Sequence, residues 1–267
     1  MSVSRLLINL FYLVGVSQAI SAETVLTACA SPNWVPSTWE TKNSIDGLFV
    51  GVLNDFATHS DLIIHYQKMG AWARCLKQAE KGEIDIVLGA YKTPDRQKWG
   101  LYSVPIVYDY TRIFAIENNL VIDSLEDLKP YKGGVRLGDS YGKQVDDFIR
   151  QQAAKKNTIL YLNNEENIIR MIANNRLHYF PGVEGNAYSM ITKLKQKGVI
   201  DKSINIVASG PNFSTNSLHF VVSKKHPDAK KLISKINQFY QNTYTLESIE
   251  ELKKKYHRDY LNFTPEE

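Results

Sequence analysis

Beyond residue 23 the chain alternates short apolar runs of strand type with stretches of helical periodicity, and this rhythm limits the folds open to it. Thr24-Val25-Leu26-Thr27 reads as a strand, and Val50 to Ala57 as a helix with Val52, Leu53 and Phe56 on one face. Leu62 to Tyr66 is again strand, Trp72 to Glu80 helix stopped near Gly82, and Ile84 to Leu88 a buried-type strand. A βαβαβ order of this kind predicts a mainly parallel sheet with helices on its faces, and such sheets place ligand sites at the carboxyl ends of their strands. The pattern resumes after Tyr110 to Ile116. Ser124-Leu125-Glu126-Asp127 reads as a capping box. The strands expected next are Val135 to Leu137, Leu160 to Leu162, His178 to Phe180, Ile204 to Val207 and Leu218 to Val222. Helices are expected over Tyr141 to Ala154, Glu165 to Asn174, Ala187 to Lys197, Ala229 to Tyr240 and Leu246 to Tyr256.

The first 22 residues follow a different logic. Arg5 is followed by the uncharged apolar stretch Leu6 to Val16, and then by the small residues Ser17, Ala19, Ser21 and Ala22. The stretch is too short to span a bilayer but has the order of a signal peptide, so residues 1–22 are expected to be removed after Ala22, with Ala19 the alternative. A short buried N-terminal helix would not need that order. The protein is therefore expected in the periplasm. Leu26-Thr27-Ala28-Cys29 has the form of a lipobox, but Glu23 and Thr24 interrupt the apolar run before it, and the segment reads better as the first strand. An exported chain with two cysteines, Cys29 and Cys75, permits a disulfide, with two buried thiols as the other possibility.

The 267 residues carry 32 Lys plus Arg against 28 Asp plus Glu, a net +4 spread along the chain, which argues against nucleic acid as a partner. The six histidines lack metal-ligand spacing, so neither a metal nor a cofactor is expected.

The stretch Gly82 to Pro105 carries the most chemistry. Gly89 and Ala90 end a buried strand with exposed backbone N–H groups, Thr93 can cap the next turn, and Arg96 lies one turn in. An Arg beside free N–H groups suits a carboxylate held by two parallel hydrogen bonds. Gly82-Glu83-Ile84-Asp85, Thr93-Pro94-Asp95-Arg96 and Ser103-Val104-Pro105 together resemble the bacterial extracellular solute-binding proteins of family 3, the amino-acid-binding proteins of ABC importers. Ser124 to Leu128, Val135 to Tyr141 and Asn175 to Tyr179 resemble further family patterns in the same order, and Trp72-Ala73-Arg74-Cys75 resembles a branch with W-x-R-C there.

The resemblance implies an α/β two-lobed clamshell with a mainly parallel sheet in each lobe and two hinge crossovers. Lobe 1 would comprise residues 23–112 and 214–267, and lobe 2 residues 113–213. Arg96 would grip a ligand carboxylate with backbone help near Gly89 and Tyr91, and Ser140 would add a contact from the other lobe. Trp34 and Trp72 would supply aromatic surface. The family's ammonium-binding acids have no direct counterpart: Ser31 stands at the first position and Val183 at the second, where Glu184, one residue away, would bind a ligand ammonium instead. A carboxylate ligand, an amino acid or a relative, is expected, captured by a monomer that delivers it to an ABC permease or presents it to a membrane sensor.

Two enzyme readings compete. Gly138-Asp139-Ser140-Tyr141-Gly142 fits the G-x-S-x-G pattern of a Ser hydrolase. Asp201 or Asp228 and His219, His226 or His257 would complete such a set. A dehydratase on the clamshell fold would need an acid or base such as Glu184 or His178 near the carboxylate grip.

Overall fold

A computed structural model describes residues 24–156 and 158–262. The expected signal peptide lies outside the described residues. In chain order the first strands are β1 (Thr24–Ala30), β2 (Asn33–Trp34), β3 (Thr38–Glu40) and β4 (Ile45–Asp46). Then come α1 (Leu48–His59), β5 (Leu62–Tyr66), α2 (Trp72–Lys81), β6 (Ile86–Tyr91), α3 (Pro94–Trp99), β7 (Gly100–Tyr102) and β8 (Val107–Ile116). A 3₁₀ turn over Leu125–Leu128 leads to β9 (Gly133–Arg136), α4 (Lys143–Lys156), β10 (Ile159–Leu162), α5 (Glu165–Ala173), β11 (Tyr179–Val183) and α6 (Glu184–Gln196). The chain continues through β12 (Ile206–Ser223), α7 (Ala229–Thr243) and α8 (Leu246–Asn262).

The strands form one curled sheet in the order β10-β9-β11-β8-β12-β6-β1-β5, with β7 on β12. Its two ends are parallel triplets: β5-β1-β6 and β10-β9-β11. Between them β8 and β12 run antiparallel, and each spans both halves. The 112/113 and 213/214 boundaries expected from the sequence fall inside these two strands. Strand β12 corrects an expectation. Two separate strands were anticipated, but Ile206–Ser223 is one strand of 18 residues, with its register broken between Ser209 and Ser214. Apart from buried Phe213 its middle is part-exposed and carries no apolar alternation; pairing with β8 on either side of residues 210–213 holds it extended.

In lobe 1, Leu26, Ala28 and Ala30 point from β1 into a cluster with Phe49, Leu53 and Phe56 of α1 and Leu232 and Ile236 of α7. Cys29 points to the opposite face, among Trp72, Ala79 and Val87, and is joined there to Cys75 of α2 with a Cα–Cα distance of 5.8 Å. The Cys29 sulfur is thus bonded to Cys75, and the segment is strand, as preferred over a lipobox. Helix α2 stops at Gly82, whose φ of +81° lets its N–H return to the Ala79 and Gln78 carbonyls. In lobe 2, Ile168, Ile169, Phe180 and Met190 pack on one side of the sheet, and Val135, Val145, Phe148 and Tyr179 on the other.

Two element starts differ from expectation for local reasons. Strand β6 begins at Ile86, two residues late, because the Asp85 carboxylate accepts from both the N–H and the hydroxyl of Thr27 at 2.8 Å. Helix α4 begins at Lys143 because Gly142 takes a φ of +92° and Asp146 ties down the preceding turn. The small sheet β2-β3-β4 has no strand-like pattern in the sequence; it seats buried Trp39 against Tyr256 and Tyr260 of α8.

Candidate functional site

The carboxyl ends of β1 and β6 lie side by side, so the segment after β1 and the turn after β6 meet at one edge of lobe 1. Thr93 caps α3 by accepting from the Arg96 N–H at 3.3 Å, and Pro94 opens the helix. This short helix turns the Arg96 side chain back over the end of β6. Its Nη1 donates to the Tyr91 carbonyl at 3.1 Å, its Nη2 to the Gly138 carbonyl of lobe 2 at 2.8 Å, and its guanidinium carbon sits 5.6 Å from the Trp72 ring centroid. Arg96 is buried, and among the described residues no carboxylate forms an ion pair with it. Burial pulls its pKa down, opposed by the fields of Tyr102, Asp139 and Asp146.

Trp34 and Tyr91 meet edge to face at 5.6 Å and share one acceptor. Trp34 Nε1 donates to Asp109 Oδ2 at 2.9 Å, and the Tyr91 hydroxyl to the same oxygen at 3.0 Å. Burial raises the Asp109 carboxyl, and those two donors oppose the rise. Asp109 escaped the sequence reading because β8 is inverted here: Asp109 and Thr111 point inward while Tyr108 and Tyr110 face solvent. The signal was present as a strand whose alternation places polar residues on the covered face.

From lobe 2, the turn after β9 supplies Asp139 and Ser140. Arg136 Nε and Nη2 donate to Asp139 Oδ2 and Oδ1 at 2.8 and 2.9 Å, a two-pronged pair buried on both sides. The Arg136 guanidinium also lies 5.2 Å from the Trp34 ring centroid and reaches the Asn33 carbonyl at 3.4 Å. Behind it Glu165 accepts from Asn186 Nδ2 at 2.9 Å, while Asn186 Oδ1 accepts the Val35 N–H at 2.8 Å. Burial pushes the Glu165 carboxyl up to about 7, against the pull of Arg136 and Asn186. Two lobe-2 side chains, Arg136 and Asn186, therefore hold the lobe-1 segment Asn33–Val35, and Glu165 holds Asn186 from behind. None of Asp139, Arg136, Glu165 and Asn186 was assigned a role from sequence; spacing along the chain does not show which strand ends converge.

Of the residues named from sequence, Gly89, Tyr91, Arg96, Trp34, Trp72 and Ser140 line one inner pocket, together with Asp139 and Leu218. Side chains leave only about 10 Å³ open there. Glu184 is not brought to it. Its half-exposed carboxylate lies 3.7 Å from Arg112 Nη1 at the start of α6. Ser31 is buried with its hydroxyl unpartnered. Outside the inner pocket, between α3 and the start of α4, lies a cleft of about 750 Å³ that Arg96, Ser140 and Asp139 also border.

The hydrolase set is not assembled. The Ser140 hydroxyl donates to Asp146 Oδ2 at 2.5 Å. His219 bonds Ser217 and the Ser103 carbonyl, His257 bonds Ser189, and His226 accepts from the Asp228 N–H. Asp201 accepts from Ser203. His178 Nδ1 accepts from the Lys132 N–H and lies outside both pockets. Among the described residues no group of three His, Cys, Asp or Glu side chains could hold a metal ion, and no helix is long and apolar enough to cross a membrane.

Solved structures share this architecture at low sequence identity. A histidine kinase sensor domain with similarity to periplasmic binding proteins matches with a TM-score of 0.74 at 14% identity, over 88% of this chain and 96% of that one. A protein from work on glutathione import and the cystine ABC importer of Streptococcus mutans matches at 0.72 and 16%, over 88% and 95%. The P235GK mutant of the arginine-binding protein ArgBP of T. maritima matches at 0.71 and 15%, over 88% and 95%. These likenesses show the two-lobed periplasmic-binding-protein fold. No curated protein sequence matches significantly. The model of the bacterial extracellular solute-binding proteins, family 3, matches residues 26–259, nearly all of the described chain, and the protein belongs to that family.

Proposed function

We propose that the protein captures a small carboxylate-bearing solute, an amino acid or a compound built from one, in the periplasm for an ABC importer. The observation that carries this reading is Arg96, a buried cation with no acid partner, placed where the two lobes meet. A buried guanidinium hydrogen-bonded only to carbonyl oxygens feels the fields of Asp139 and Asp146 but makes no direct ion pair among the described residues, and a ligand carboxylate supplies that pair. The lobes divide at β8 and β12, near residues 112 and 213. A ligand touching both Arg96 and the Gly138–Gly142 turn makes its full contacts only in the closed form, so binding shifts the open–closed balance toward closure. Closed and open forms then differ in the face they offer a membrane permease. No catalytic step is assigned to the site.

The test is thermal unfolding of the purified protein against amino acids, short peptides and small carboxylates, followed by titration of Arg96→Ala with each hit. A ligand at 100 times its dissociation constant stabilises by about 2.7 kcal/mol, and losing the charge-assisted contact costs roughly 2–5 kcal/mol of binding. Undiminished affinity in Arg96→Ala would refute the assignment. Recovery of the ligand unchanged separates a binding protein from an enzyme.

A further inference from the structure

Of the two spaces beside Arg96, only one has room for a ligand. The inner pocket under Trp34, Trp72 and Tyr91 retains about 10 Å³, at the lower limit for a single water molecule. Its volume is taken by the chain itself. The guanidinium of Arg136 lies over Trp34 and is locked to Asp139, while Tyr91 and Trp34 are bonded to Asp109. To enter, a free amino acid would have to break a buried two-pronged ion pair, and Arg136 would be left charged without its partner.

The outer cleft is different. Its volume of about 750 Å³ lies within the roughly 300–1,000 Å³ that holds drug-sized ligands. Its walls carry charges of both signs set between apolar stretches. Lys92 and Arg96 stand on the lobe-1 side, and Asp139 and Asp146 on the lobe-2 side. At the rim Lys143, Asp147 and Arg150 pair with one another. Counting Asp95, which pairs with Lys98, the lining carries four basic and four acidic residues. A lining balanced in charge attracts neither a multiply charged anion nor a multiply charged cation, and it matches a zwitterion whose two charges are spread apart over an apolar body. Asp146 accepts from Ser140 and from the Tyr141 N–H, which leaves part of its acceptor capacity for an ammonium group.

We propose that the ligand is a short peptide of two or three residues lying in the outer cleft, its carboxylate toward Lys92 and Arg96 and its ammonium toward Asp146, while the Arg136–Asp139 pair bars free amino acids from the inner pocket. This rests on the reading of Arg96 as the carboxylate grip and names the ligand class for that grip.

The experiment is calorimetric titration of the purified protein with di- and tripeptides and with their constituent amino acids. It is repeated on Lys92→Trp, Asn216→Trp and Arg96→Ala, each checked for a native circular dichroism spectrum. Lys92 is exposed and Asn216 borders the cleft from β12, so each new indole fills the outer cleft from a different side. Peptides are expected to bind about 100-fold or more tightly than any free amino acid, and each Trp variant to weaken them about ten-fold or more. A free amino acid that binds as tightly as any peptide, untouched by either Trp variant but lost in Arg96→Ala, overturns the peptide class and leaves the carboxylate grip standing. Peptide binding indifferent to both Trp variants overturns the location, and silence of the peptide panel at millimolar concentration overturns the class. Binding of any ligand that survives Arg96→Ala at full strength removes the grip itself, and this proposal with it.

Discussion

Glu165 offers the most quantitative handle on this architecture. It is buried at the start of α5, its carboxylate accepts from Asn186, and burial raises its pKa from 4.5 to about 7. The sign follows from linkage: a carboxyl whose folded pKa is raised favours the folded state while it is protonated, and that contribution fades as pH rises through the folded value. From pKa values of 4.5 unfolded and about 7 folded, the native protein loses roughly 2–3 kcal/mol from this group between pH 5 and pH 8. Glu165→Gln preserves shape and the carbonyl acceptor for Asn186 but does not titrate. The assay is urea unfolding of both proteins at pH 5 and pH 8. Near pH 5 the two should be close in stability; at pH 8 the Gln variant should exceed the wild type by roughly 2–3 kcal/mol. Other titrating groups are common to both proteins and cancel in the difference. A gap that stays constant between the two pH values would refute the reasoning, because it would mean that Glu165 holds the same proton occupancy folded and unfolded. Asn186 also accepts the Val35 N–H across the lobes, so the same titration is expected to loosen the hold on the Asn33–Val35 segment at high pH.

Two further outcomes follow from the structure. Asp139→Ala strips the buried Arg136 of its carboxylate and should destabilise the protein by roughly 3–5 kcal/mol, measured by urea unfolding, whereas breaking a solvent-screened pair such as Lys143–Asp147 should leave the unfolding midpoint almost unchanged. Cys75→Ser opens the link across a sequence separation of 46. The loop-entropy model puts that at about 4 kcal/mol, read as a lower unfolding midpoint under non-reducing conditions, with the wild type falling to match it when reductant is added.

Much of the outline was legible before any coordinates. Alternation of strand and helix patterns placed β1, α1, β5, α2 and the closing helices within a few residues, because each buries a face whose period the sequence must show. The misreadings have specific causes. Strand β12 was split in two because its polar middle is held by β8 and not by a core. The small sheet β2-β3-β4 was invisible because strands of two or three residues are too short to show a period. Helix α4 starts late because Asp146, a helix residue, folds back on the turn before it.

The site divides in the same way. Gly89, Tyr91, Thr93 and Arg96 could be read together because they are neighbours along the chain, and the end of one strand and one capped turn suffices to gather them. The Arg136–Asp139 pair, the Asp109 acceptor shared by Trp34 and Tyr91, and the Glu165–Asn186–Val35 chain involve partners as far as 151 positions apart. The sequence by itself determined the α/β alternation and the capped turn that carries Arg96 beyond β6, since both are written in local period and local capping, while the two lobes entered through the family resemblance. Only the tertiary structure decided that the Arg136–Asp139 pair of lobe 2 meets Trp34 beside Arg96, and that the larger volume lies between α3 and α4. Desolvation and charge pairing depend on distance in space, and the chain order of the residues does not specify that distance.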